Sequence, residues 1–298
     1  MKARLARGVL RGLAMLPWGA LRALGGGLGR LAYRLDGREA RNVRTNLAIA
    51  YPQMPPAERE RLAREALVQS AVTLCEMPRI WLSREDLSAR VDPAGLPQAM
   101  RDLVAEGRGL ILAMPHHGNW EMVSSGIDRS LPITGLYRPP RQPFLEPLMN
   151  QGRSVARIRM VPTSRQGIKA LHQALKAGEV VAILPDQVPK SAGAAAAVAP
   201  FFGRDCATMV LLGRLAARHR SPVLFVWAER QPDGRYRMRH FRADEAIADP
   251  DPQRAATALN RAVERCIASA PAQYQWAYRR FLPVLPGQDN PYAGRSSG

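Results

Sequence analysis

Three short and almost unbroken apolar runs constrain this chain more than any other feature: Leu110–Met114 (LILAM), Glu179–Leu184 (EVVAIL) and Val223–Glu229 (VLFVWAE). Each has the length of a strand, and a strand apolar on both sides must be covered on both, the condition met in a parallel sheet. Further strands are expected at Ile133–Tyr137, near Ile158–Val161 and, from two-residue alternation, at Arg235–Phe241. Segments of helical character lie between them: Leu96–Glu106, a helix from Trp120, Pro143–Arg153, Gly167–Ala177, Thr208–Arg218 and Gln253–Ala270. Gln275–Phe281 reads as a last short element. This alternation predicts an α/β fold with a mostly parallel central sheet flanked by helices.

At 298 residues the chain suffices for one large domain, expected over residues 31–286 and followed by a flexible tail at 287–298. A net charge of +18, carried mostly by arginine, predicts an anionic partner: nucleic acid, an anionic membrane face, or an acidic substrate or carrier protein. Cys75, Cys206 and Cys266 are odd in number and far apart. They suggest neither a disulfide framework nor a zinc cluster, and they fit a reducing compartment.

The amino-terminal third is helical. Residues 1–44 hold ten Lys or Arg against two acids, interleaved with leucines at helical spacing such as Leu5, Val9, Leu13 and Leu24, Leu28, Leu31. Arg4, Arg7, Arg11, Arg22 and Arg30 interrupt every apolar span, so nothing approaches the roughly 20 residues that cross a bilayer. Residues 1–30 therefore read as an amphipathic helix lying on a membrane, with packing against the domain as the other reading. No small-residue cleavage site of a signal peptide follows. Helix continues over Arg41–Tyr51 and Ala57–Cys75, and Pro78 to Pro97 reads as a connector.

The chemistry concentrates at Gly109–Glu121 (GLILAMPHHGNWE). Pro115 stops the strand, Gly118 permits a tight turn, and Asn119 suits the N-cap of a helix. His116 then sits at the carboxyl end of a strand, with Glu121 five positions on, near enough to meet it, in a helical turn whose dipole favours a carboxylate. Asp186 and Gln187 end another strand and Arg138 a third. Ligands of open α/β sheets bind at such ends, so these positions are expected to converge on one cleft.

In this context His116-x4-Glu121 resembles the signature of the lysophospholipid acyltransferase superfamily. The wider chain resembles the lipid A late (lauroyl/myristoyl) acyltransferase family, through RNVRTNLAIAYP, LYRPPRQPFLEPLMNQGR, LKAGEVVAILPDQ, PFFGR and QYQWAYRRF. The resemblance runs from about residue 30 to 282. It implies a membrane-associated O-acyltransferase at the cytoplasmic face of the inner membrane. The fatty acyl donor would be the thioester of acyl carrier protein, and the acceptor a hydroxyl of a lipid A precursor.

On that resemblance His116 is the general base and Glu121 the acid that orients its ring, in direct attack without an acyl-enzyme. Main-chain N–H groups at Gly118–Asn119 are the expected oxyanion donors, and Asn119 is counted with the substrate-binding residues. Arg153 matches an arginine linked to acceptor or pantetheine phosphate, and Asp186 is expected to organise the site through Arg153 or backbone amides. Arg138 and Arg204 suit phosphate oxygens. His117 is read as structural or substrate-lining.

Ser191–Ala199 departs from the family pattern in being alanine-rich, and reads as a small-residue lid, a mobile loop or a replaced flexible segment. No cofactor or metal is expected; HHGNWE lacks the paired histidines of HExxH. A monomer without nucleic acid is expected too. Two alternatives remain: acylation of another lipid (a lysophospholipid, ornithine lipid or phosphatidylinositol mannoside), and a non-catalytic basic peripheral membrane protein. Against a nucleic-acid binder stand the lack of a recognisable module and an aromatic content of 6%.

Overall fold

The computed structural model describes residues 2–82, 85–140, 142–149, 158–189 and 195–293. Its centre is a sheet of seven strands: β1 (Val91–Asp92), β2 (Leu110–Ala113), β3 (Ile133–Tyr137), β4 (Ile158–Pro162), β5 (Val180–Ile183), β8 (Val223–Arg230) and β9 (Tyr236–Arg242). They lie in the order β1-β9-β8-β2-β5-β3-β4, all parallel except the antiparallel pair β8 and β9. The three apolar runs are the adjacent strands β8, β2 and β5, buried throughout. Alternate side chains face two cores: Ile111, Val181 and Phe225 on one side, Leu112, Ala182 and Val226 on the other.

Helices cover both faces, as a parallel sheet requires. They are α1 (Lys2–Met15), α2 (Trp18–Arg34), α3 (Arg38–Ala50), α4 (Pro56–Leu82), α5 (Leu96–Ala105), α6 (Arg165–Lys176), α7 (Leu211–His219) and α8 (Pro252–Ser269). Local sequence sets several starts. Ser164 accepts from the Gly167 N–H to cap α6, and Asp251 accepts from the Gln253 N–H ahead of Pro252 at the head of α8.

Several expectations change. α4 continues through Pro78 instead of yielding to a connector, because Met77, Ile80 and Trp81 are buried in the core, which outweighs the main-chain bond that Pro78 forgoes. Trp120 opens only a six-residue 3₁₀ turn, Trp120–Ser125. The expected helix from Thr208 begins at Leu211; before it, β7 (Arg204–Met209) pairs with β6 (Ala196–Phe201) in a separate antiparallel hairpin. The alanine-rich run is therefore partly strand, and residues 191–194 lie outside the described residues. Gln275–Phe281 forms no regular element, yet Trp276 and Phe281 are buried, and Asn46 Nδ2 donates to the carbonyls of Trp276 and Tyr278. Of the tail expected at 287–298, residues 294–298 lie outside the described residues; before them, buried Tyr292 accepts from the Phe281 N–H and donates to Asn46. Of the helix expected at Pro143–Arg153, residues 150–153 lie outside the described residues; the segment opens as a 3₁₀ turn, Pro143–Leu145.

Pro17 divides the amino-terminal segment into α1 and α2. α2 packs on α4 backbone to backbone: a Cβ on Gly25 or Gly29 would come within 2.5 Å of Val72 Cα or 2.4 Å of Val68 Cα. The other face of α2 leaves Leu24, Leu28, Leu31 and Leu35 exposed, and α1 leaves Leu5 and Val9 exposed. Among the described residues no helix is long and apolar enough to cross a membrane.

Candidate active site

Strands β2 and β5 are neighbours in register, with Ala113 opposite Ile183, and each chain runs three residues past that pair to reach His116 and Asp186. Equal extension from paired strands brings the two side chains together. Asp186 Oδ1 lies 2.8 Å from His116 Nδ1, and its Oδ2 accepts from the His116 main-chain N–H at 2.9 Å. The carboxylate at Nδ1 is thus Asp186; Glu121, the acid that the resemblance gives as orienting the ring, lines the same cavity as His116. A carboxylate only accepts, so Nδ1 carries a proton, and in the neutral ring Nε2 keeps its lone pair. Gln187 Nε2 stands 3.2 Å from that lone pair, and Trp120 packs edge-on to the imidazole with ring centroids 5.0 Å apart.

Burial works to raise the Asp186 carboxyl, but the charge of His116 and the hydrogen bonds from its ring and main chain hold it below the ordinary carboxylate range. Tyr274, beneath the pair, is raised well above the usual phenol value by burial and by the Asp186 charge. His117 points the other way. It is fully buried beside Trp227 and Tyr274, and desolvation lowers it to about 4, so it is a neutral core residue.

The turn after the histidines needs glycine. Gly118 has φ +64°, and a Cβ there would lie 2.0 Å from the Ala228 carbonyl oxygen. Its N–H donates to the Gln273 carbonyl at 3.0 Å, and the Asn119 N–H donates to Ala228 at 3.0 Å. These two donors, expected to serve an oxyanion, are engaged in fastening the turn. The Asn119 side chain makes no cap hydrogen bond and does not line the cavity that His116 lines. It is fully buried and donates at 3.2 Å to both Glu76 Oε2 and the Tyr236 hydroxyl. There Glu76 pairs with Arg230 at 2.7 Å, both buried.

His116 opens onto a cavity of about 1120 Å³. Its floor includes one register row across the sheet, Leu112, Ala182, Gly135 and Met160, in which small residues occupy the middle. Met77 and Trp81 of α4 are among its walls, together with Val123 and Ile127 beyond the turn. Glu121, Arg138 and Gln187 also line it, so these strand ends do share one cleft. Arg204 does not; it pairs with Asp289 at 2.9 Å, away from the cavity lining. Arg153 lies outside the described residues.

Two residues near the base were given no role from sequence: Arg214 of α7 lines the cavity at a position no motif marks, and Gln275, within the QYQWAYRRF block, comes within 3.4 Å of Gln187 from an irregular segment far along the chain. No three His, Cys, Asp or Glu side chains gather as a metal site among the described residues. A neutral imidazole that lines a largely apolar cavity, with only a side-chain amide over its Nε2, can deprotonate a hydroxyl beside a bound hydrocarbon chain once that hydroxyl takes the amide's place.

The profile of bacterial lipid A biosynthesis acyltransferases matches residues 3–283. The chain is similar to the lipid A biosynthesis lauroyltransferase of Escherichia coli (strain K12), 30% identical over 96% of this chain and 92% of that protein. It is also similar to the palmitoleoyltransferase of the same organism, at 29% over 96% and 92%. The myristoyltransferase of that organism is 24% identical over 89% and 82%.

Proposed function

Since this chain belongs to the bacterial lipid A biosynthesis acyltransferase family, it is an acyltransferase, and we propose that it moves a fatty acyl chain from the thioester of acyl carrier protein to a hydroxyl of a lipid A precursor. The observation that carries the reading is the His116–Asp186 pair on the rim of the apolar cavity. The acyl chain would lie over the floor of Ala182 and Gly135, with its thioester carbonyl beside His116. Nε2 takes the proton of the acceptor hydroxyl as its oxygen attacks the carbonyl, and Asp186 stabilises the imidazolium that forms. Collapse expels the thiolate, which takes the proton from His116. No acyl-enzyme forms, and the chemistry calls for no cofactor.

Glu121, buried in the same wall, fits a contact to the polar part of the acceptor, and Arg138 and Arg214 fit phosphate oxygens. The test is direct: purified protein, acyl carrier protein thioester and a lipid A precursor should yield acylated lipid A precursor. Failure with every lipid A precursor and donor tried rejects the reading.

The small floor residues tie chain length to cavity depth. A Cβ on Gly135 would sit 2.8 Å from Met160 Sδ, pushing that side chain into the space. Gly135→Val is therefore expected to shift preference toward shorter acyl donors, read by competition between thioesters of graded length. Unchanged selectivity would show that the chain lies elsewhere.

For location we propose the cytoplasmic face of the inner membrane. The exposed leucines of α1 and α2 would enter the interface while neighbouring arginines meet lipid phosphates. Because Leu28 and Leu31 lie on the face of α2 away from α4, Leu28→Glu/Leu31→Glu should fold normally. It should lose at least about tenfold in binding to phosphatidylglycerol vesicles, given roughly 1.5–3 kcal/mol per buried leucine. Sedimentation with vesicles at the wild-type level would reject this anchor.

A further inference from the structure

Acyl transfer builds negative charge on the thioester carbonyl oxygen, and a donor has to meet it. The four successive main-chain N–H groups around the base are engaged: His116 with Asp186, His117 with Pro115, Gly118 with Gln273 and Asn119 with Ala228. The side-chain amide of Gln187 is different. Its Nε2 lies 3.2 Å from His116 Nε2 and 3.4 Å from Gln275 Oε1, so one N–H points at the lone pair of the base and the other at Gln275.

This placement is held from several sides. The Gln275 N–H donates to the His116 carbonyl at 3.0 Å, which ties the residue bracing Gln187 to the base itself. The next peptide is fixed as well, since the Val188 N–H donates to the Tyr278 hydroxyl at 2.9 Å. Yet the N–H facing His116 occupies the site that an acceptor hydroxyl has to reach. Productive binding must displace it, and the displaced hydrogen stays next to the reacting carbon, still braced by Gln275.

We infer that Gln187 is a catalytic residue: its amide covers the lone pair of His116 Nε2 in the resting enzyme and, when the acceptor hydroxyl takes that place, donates to the carbonyl oxygen of the thioester. The inference rests on the acyl-transfer reading above. In the step, the hydroxyl proton passes to Nε2 and the new C–O bond forms as the carbonyl π electrons move to oxygen, where the Gln187 N–H meets them. When the C–S bond breaks, those electrons return to the carbonyl and the thiolate leaves with the proton held by His116.

Gln187→Met keeps the size of the side chain and removes the donor. It should lower kcat by roughly 10²- to 10³-fold, as loss of one oxyanion donor does elsewhere, with KM for either substrate little changed. A thermal melt matching wild type shows that the variant is folded. Wild-type kcat in folded Gln187→Met, or a loss lying wholly in KM, overturns the role of Gln187 while leaving the acyl-transfer reading intact. A wild-type enzyme that acylates no lipid A precursor takes both down together.

Discussion

His116→Ala should lower acyl transfer by about 1,000-fold, and Asp186→Asn by a comparable or larger factor, while both proteins stay folded. The first change removes the base. The second leaves a side chain of the same shape at 2.8 Å from Nδ1, but an amide can present its NH₂ there, which favours the proton on Nε2, and it cannot balance the imidazolium. Both losses should fall on kcat, because neither group is needed to hold the hydrocarbon chain. A single-turnover assay under saturating donor and acceptor reads this directly. An Asp186→Asn enzyme within a few-fold of wild type would mean that the carboxylate only shapes the loop.

Glu76→Ala should destabilise the protein by about 3–5 kcal/mol, the largest loss of stability expected from a single substitution here. Its carboxylate is fully buried and receives Arg230 at 2.7 Å, the Tyr236 hydroxyl and the Asn119 amide. Arg230 in turn reaches Thr73 and Gln69, so one ion pair joins the end of β8 to α4 and to the residue just after Gly118. Truncation leaves a guanidinium without its counter-charge in the core. The double variant Glu76→Leu/Arg230→Met should recover much of the loss, since an apolar pair of similar volume escapes the desolvation penalty. Urea unfolding of the three proteins measures this. A double variant no better than Glu76→Ala would put the stabilisation in the hydrogen bonds instead of the charges.

Much of the sheet was legible because an apolar run is a local property. Leu110–Met114, Ile133–Tyr137 and Val223–Glu229 appear as strands within a residue or so of where they were expected. Errors arose where tertiary contacts override local preference. Pro78 reads as a break, yet Met77, Ile80 and Trp81 carry α4 past it because they are buried. Ser191–Ala199 reads as a lid, a mobile loop or a replaced flexible segment, yet six cross-strand pairs make Ala196–Phe201 the strand β6. Asn119 reads as a cap, yet it is drawn inward to a carboxylate 43 positions earlier.

The site divides in the same way. The sequence by itself determined the fold class, the position of His116 at a strand end, the need for glycine at residue 118 and the family to which the chain belongs. All of these depend on residues adjacent in the chain or on motifs in a conserved order along it. Only the tertiary structure decided which acid lies against Nδ1 of His116. Glu121 is the neighbour in sequence, but β2 and β5, 70 residues apart, lie side by side in register and carry Asp186 to Nδ1. Strand order is set by how the whole chain buries its apolar faces, a long-range property that no local pattern records. That same packing brought Gln187 to Nε2.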